Sequence, residues 1–146
     1  MGAEHTLTGT LTVALPPGEA FRLFTARGEQ AWVDGWQPHF PVETPDDTTP
    51  GTVFETTGHG QVTTWLVLES APARRISYAR VTPGVRAGTV TVELSEETAG
   101  QSEVTVTYAL TALTDAARAD VRAFADGYQD FLRSWEDTIA AHLSGR

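Results

Sequence analysis

The amino-acid sequence predicts an α+β domain, a curved antiparallel sheet of about six strands packed against one long C-terminal helix. Three observations carry this expectation. Between positions 7 and 112, six segments show the strand pattern, in the clearest of them a strict alternation of apolar with polar or small residues, the mark of one buried face. The last five follow one another with short Gly- or Pro-bearing connections, too short for the crossovers that parallel strands need. Beyond position 114 the period changes to three and four residues, the stripe of an amphipathic helix. That stripe and the apolar face of the sheet each need a partner, so the helix must lie across the sheet.

The elements follow in order. Leu7, Leu11, Val13 and Leu15 alternate with Thr6, Thr8, Thr10, Thr12 and Ala14 as a first strand, which Pro16-Pro17-Gly18 stops. Glu19 to Ala26 sets Phe21, Leu23 and Phe24 on a short helical segment that Gly28 ends. From Trp32 to Pro50, Trp32, Trp36, His39 and Phe40 stand among Gly35, Pro38, Pro41, Pro45 and Pro50, which forbids a regular element. A loop so aromatic needs something to cover its rings, since loops are ordinarily polar and solvated.

Strands are expected over Thr52–Thr57, Val62–Ser70, Arg75–Thr82, Arg86–Ser95 and Ser102–Ala112. Val90/Val92/Leu94 and Val104/Val106/Tyr108/Leu110 alternate most clearly. Pro83-Gly84 reads as a type II turn, with Gly where positive φ is required, and Glu96 to Gln101 as a polar hairpin loop. The helix runs from Asp115 to Leu143, with Thr114 or Asp115 as N-cap and Gly145 as stop. At ~1.5 Å per residue it would be about 43 Å long. Gly127 falls in its middle, at a cost of roughly 1 kcal/mol against Ala, and marks a bend or a close approach.

Composition bounds the chemistry. The 146 residues include 10 basic and 19 acidic, a formal net charge of −9, and 40% are hydrophobic. The length fits one domain over 1–146, and a chain of this size buries roughly 70% of its unfolded surface. Cys, Lys and Asn are absent. Their absence excludes disulfides, thiol nucleophiles, Cys-ligated metals, Schiff bases and the phosphate-loop lysine. The negative charge opposes nucleic-acid binding, which rests on a basic surface. No metal is expected, because His39 and His59 lack ligand spacing to another His or carboxylate. No cofactor fingerprint is present: Gly58-His59-Gly60 lacks the third Gly, at Thr63.

The N-terminus shows no secretory signal, and no apolar run approaches the ~18–20 residues that cross a bilayer. Gly2 and Thr6 match the loose myristoylation pattern, without a polybasic second anchor. The expected location is cytoplasmic, with no membrane partner.

Several stretches carry a family resemblance. They are Phe21-Arg22-Leu23-Phe24-Thr25, Gly28-Glu29, Trp32-Val33, Gly35-Trp36 with Pro38, Thr64-Trp65, Tyr78-Ala79-Arg80-Val81-Thr82-Pro83-Gly84 and Val104-Thr105-Val106-Thr107-Tyr108. Together with the order of elements, they resemble the START/SRPBCC superfamily, which includes birch-pollen-allergen-like proteins and polyketide cyclases. The resemblance spans about Leu7 to Leu143 and implies the helix-grip fold. It also implies a cavity between sheet and helix that takes a small hydrophobic molecule.

The residues expected at such a cavity are Trp36, His39 and Phe40 from the aromatic loop, Phe54, Trp65 and Tyr78 from strands, and Phe124, Tyr128 and Phe131 from the helix. The competing reading is that these rings fill the core. His39 and His59 are the candidate acid–base groups. Arg80 shares a strand face with Tyr78, two residues earlier, and is suited to hold a carboxylate or phenolate in a forked hydrogen bond. Glu55 has the opposite parity to Phe54, and Asp34 before Gly35 reads as a turn residue. No catalytic constellation is legible.

The leading functional expectation is a binding module for a small hydrophobic molecule, aromatic or anionic, with homodimerisation left open. The alternative is a cyclase/aromatase-type enzyme acting by confinement, with His39 and Tyr78 relaying protons. A third reading resembles the heat-shock-protein ATPase activators, with an outer face that binds a partner protein.

Overall fold

The computed structural model describes residues 3–145. The myristoylation pattern depends on Gly2, which lies outside them. Six antiparallel strands form one sheet: β1 (Glu4–Val13), β2 (Val53–Gly58), β3 (Gln61–Ala71), β4 (Arg75–Thr82), β5 (Arg86–Thr98) and β6 (Gln101–Ala112). Their order is β1-β6-β5-β4-β3-β2, so five strands run as a meander and β1 closes onto the last of them. Helix α1 (Pro17–Arg22) follows β1, and a single 3-10 turn spans Gly28–Ala31. Helices α2 (Asp115–Asp126) and α3 (Tyr128–Ser144) complete the chain.

Besides shifts of one to a few residues at the ends of β1, β2 and β3, three features differ from the sequence expectation. The β5–β6 hairpin is longer, because Ser95 and Glu96 pair with Glu103 and Ser102 across a bulge before Thr98. Backbone pairing is indifferent to the polarity that made these residues read as a loop. The first helix starts at Pro17, whose fixed φ suits a helix's first turn, and it ends before Leu23. The single long C-terminal helix is two helices, interrupted at Gly127 (φ −96°, ψ 12°). The break is local. The Gly127 N–H still donates to the Ala123 carbonyl at 3.1 Å, and its carbonyl accepts from Phe131 N–H at 2.9 Å. Thr114 is the N-cap of α2, its hydroxyl accepting from Ala117 N–H at 3.2 Å.

α3 grips the sheet at β1. Leu132 and Ile139 are buried with Leu11, Val13, Val104 and Val106, each worth roughly 1.5–3 kcal/mol relative to exposure. Two polar contacts set the docking. The Tyr128 hydroxyl donates to the Val106 carbonyl at 2.6 Å. The Glu136 carboxylate accepts from Thr12 N–H at 2.7 Å, satisfying a donor on β1, one of the sheet's two edge strands.

Candidate binding cleft

The aromatic loop is anchored by the end of α1. A helix leaves its last carbonyls without internal partners. Here three aromatic donors serve the carbonyls that follow α1. The Trp32 indole donates to Leu23 at 2.8 Å, the Tyr78 hydroxyl to Phe24 at 2.7 Å and the Trp36 indole to Ala26 at 2.7 Å. Farther along, Arg27 donates through its N–H to Asp47 at 2.7 Å and through its guanidinium to the Thr44 carbonyl at 2.6 Å, and it lies 4.6 Å over the Phe40 ring. The main chain of His39 exchanges two 2.8 Å hydrogen bonds with Glu55. These bonds fold the loop against the outer strand β2.

Inside, the rings pack on one another. Phe54 and Trp65, directly opposite across β2 and β3, are stacked with centroids 5.8 Å apart, and Tyr78 meets both edge-on. Phe24, Trp32 and Trp135 form a second group, and Tyr108, Phe124, Tyr128 and Phe131 a third. The enclosed space among these rings is consequently about 20 Å³, lined by Phe24, Glu29, Trp65, Tyr78, Tyr108 and Trp135 among others, room for about one water-sized atom. The expectation of a ligand-sized cavity among these rings is corrected on this point: their packing, mostly edge-to-face, fills the volume they surround.

The larger space lies at the end of the sheet, between the aromatic loop and β2–β5. This cleft measures about 470 Å³ and is lined by Trp36, Trp65, Arg80, Thr82, Arg86, Thr56, Thr63, Gln61 and His59, with Asp34 and Gly35 among its loop residues. Trp36 and Trp65 meet edge-to-face at 5.6 Å, and the Trp65 indole donates to the Thr56 hydroxyl at 3.0 Å. The Arg80 guanidinium sits 4.7 Å over the Trp65 ring. One of its amino groups reaches Thr82 Oγ1 at 3.4 Å, while its Nε is buried without a hydrogen-bond partner. Burial lowers the Arg80 pKa; nearby Tyr108 opposes the shift and Arg86 adds to it. Among the described residues, neither Arg80 nor Arg86 forms an ion pair.

The residues expected at the site divide. Trp36, Trp65 and Arg80 line the cleft. Phe54 and Tyr78 lie behind Trp65, with the Tyr78 hydroxyl committed to Phe24 and its pKa raised well above 10 by burial. Phe124 and Tyr128 pack around Tyr108. His39 is exposed on the outer side of the bridge to Glu55 and lines none of this space. His59 instead reaches the cleft, from a hairpin tip where it holds a φ of 53° beside Gly60 at 73°; His is among the residues that tolerate this region.

Two residues escaped the sequence reading. Arg86 stands opposite Thr82 because the turn after β4 has three residues between paired positions. A two-residue hairpin through Pro83-Gly84 would have put Val85 there. Glu29, in the 3-10 turn, sends its carboxyl inside although the residue as a whole is only half-buried, and burial raises its pKa well above 4.5. Its sequence signals are its place in the Gly28-Glu29 stretch of the family resemblance and its position between Phe24 and Trp32. Among the described residues, no group of three or more His, Asp or Glu is placed to hold a metal, and no helix is long and apolar enough to cross a membrane.

No protein-family model matches the sequence, and a comparison with curated proteins finds no match. Solved structures do match. MLL2253 from Mesorhizobium loti aligns with a TM-score of 0.67 at 17% identity, over 94% of this chain and 98% of that one. Ara h 8.0201 aligns at 0.64 and 16% identity, over 94% and 99%. The chain has the helix-grip fold. DynU16, of the dynemicin biosynthetic locus, shares it with a TM-score of 0.62 at 19% identity over 90% of this chain. This chain spans only 46% of DynU16. The helix-grip likeness at such identities concerns architecture, and activity must be argued from the site.

Proposed function

We propose that the chain is a single cytoplasmic binding domain that takes a small, flat, largely apolar molecule into the cleft beside Trp36 and Trp65. The observation that carries this is the cleft itself. Its volume of about 470 Å³ falls within the ~300–1,000 Å³ of small-molecule sites. Two of its walls are indoles whose N–H groups are already satisfied by Ala26 and Thr56. Their ring surfaces are left for apolar contact, held in place at no further entropic cost.

Catalysis by confinement is the weaker reading. Folding a polyketide-like chain asks for a closed space, and the closed space here is about 20 Å³. The proposed proton relay also loses its geometry, since His39 is exposed and the Tyr78 hydroxyl serves a backbone carbonyl.

The test is titration of the protein with the neutral aryl ketone 2-acetylnaphthalene, followed by tryptophan emission. Saturable quenching is expected, weakened about tenfold in Trp36→Ala, the loss of roughly 1.4 kcal/mol of contact. Quenching that never saturates, or that is identical in Trp36→Ala, would overturn the assignment of the cleft. Native mass spectrometry of protein from its own host should show a co-purified small molecule.

A further inference from the structure

We infer that Arg80 and Arg86 form a carboxylate clamp, so that the cleft selects aryl carboxylates over neutral aromatic molecules of the same shape. This rests on the reading of the cleft as a binding site. The register places the two guanidinium groups on one face. Arg80 and Thr82 alternate along β4, Thr82 stands opposite Arg86 on β5, and the partner opposite Arg80 is Gly88, which has no side chain. Arg80 and Arg86 are therefore diagonal neighbours with nothing larger between them on that face. Each guanidinium also stands over an aromatic ring, Arg80 over Trp65 at 4.7 Å and Arg86 over Phe124 at 6.0 Å. A cation–π contact of this kind uses none of the group's N–H donors, which remain to bond a ligand.

Like charges at that spacing repel, and the Arg80 Nε is buried without an acceptor. Among the described residues, three other arginines are paired with carboxylates: Arg75 with Glu69 and Glu93, Arg118 with Asp115 and Arg133 with Asp130. In a chain of net charge −9, two adjacent unpaired arginines in a concave space point to an anion from outside. The remaining walls fit one. The hydroxyls of Thr56, Thr63 and Thr82 are neutral, and Asp34 is the one carboxylate among the cleft's lining residues. Two cations and one anion leave a single positive charge, which matches a monoanionic carboxylate rather than a dianionic phosphate. A carboxylate also accepts the two parallel N–H bonds of a guanidinium edge. Trp36 and Trp65 beside the clamp supply the surface for an attached ring.

Three ligands of one shape separate the cases: 2-naphthoate, neutral 2-acetylnaphthalene and 2-naphthyl phosphate. The clamp predicts 2-naphthoate to bind at least about tenfold tighter than 2-acetylnaphthalene, with Arg80→Gln and Arg86→Gln each narrowing that gap by about tenfold. Arg86→Gln carries the test if Arg80→Gln fails to fold. Equal affinity for the acid and the ketone, or a gap that both variants leave intact, would sink the clamp while the binding cleft stands. Failure of all three ligands to bind would remove the cleft assignment itself. Tighter binding of 2-naphthyl phosphate than of 2-naphthoate would overturn the single-charge assignment.

Discussion

A Cβ placed on Gly9 of β1 would lie 2.5 Å from Cδ1 of Leu132 on α3, well inside the ~3.5–4.0 Å at which carbon atoms rest in contact. The missing side chain is what lets the helix settle onto the strand, with Leu132 2% exposed above it. Gly9→Ala should therefore overpack this interface and cost about 1–3 kcal/mol. Leu132→Val in the same chain should recover part of the loss. Urea unfolding of the single and double variants checks it, and purely additive effects would show that the two positions do not press on each other.

The Tyr78 hydroxyl is a structural donor. Tyr78→Phe leaves the Phe24 carbonyl without the 2.7 Å bond that serves it. The expected loss is about 1–3 kcal/mol, the cost of an unsatisfied buried acceptor. Thermal unfolding reads it directly, and an unchanged midpoint would mean that water takes the place of the hydroxyl.

Glu29 makes stability depend on pH. Burial lifts its carboxyl well above the ordinary 4.5, so the folded chain keeps a proton that the unfolded chain has released. Stability is then fully present below about pH 4.5, falls as pH rises toward the folded pKa, and is level beyond it. Glu29→Gln keeps the shape and removes the titration. The variant should be more stable than the parent near pH 7, and the difference should vanish by about pH 4. Tyr78 and Tyr108, whose pKa values Glu29 pushes upward, are neutral throughout this range. A difference between the two proteins that does not change with pH would refute the buried titration.

Gly127 is not required by sterics. Its φ of −96° is open to any residue, and a Cβ there would meet nothing closer than the Ala123 carbonyl at 3.5 Å. Gly127→Ala should raise stability by about 0.5–1 kcal/mol through helix propensity alone. A loss in calorimetry would instead show that the interruption between α2 and α3 is needed for docking.

Much of the fold was legible because periodicity reports directly on which face is buried. Val90, Val92 and Leu94 and Val104, Val106 and Tyr108 alternate as strands must, and all six are buried. Pro83-Gly84 marked its turn, and Gly84 has the expected positive φ of 74°. The cleft was less legible. Trp36, Trp65 and Arg80 were named from residue type and strand parity, but His39 could not be distinguished from His59. The difference between them lies in where a loop is carried by the Trp32, Trp36 and Tyr78 hydrogen bonds, all made across 9 to 54 residues of sequence.

By itself, then, the sequence determined the architecture and the chemical kit. Its apolar periods dictate a sheet and a covering helix, and the lack of Cys, Lys and Asn confines any chemistry to His, Tyr, Arg, carboxylates and shape. Only the tertiary structure decided where the space is. Aromatic rings attract one another edge-to-face, so their packing consumes the volume they surround, and pattern cannot foresee how completely side chains from separate elements interlock. The same packing leaves Arg80 and Arg86 together at an open end, on the face that the pairing of Thr82 with Arg86 gives them.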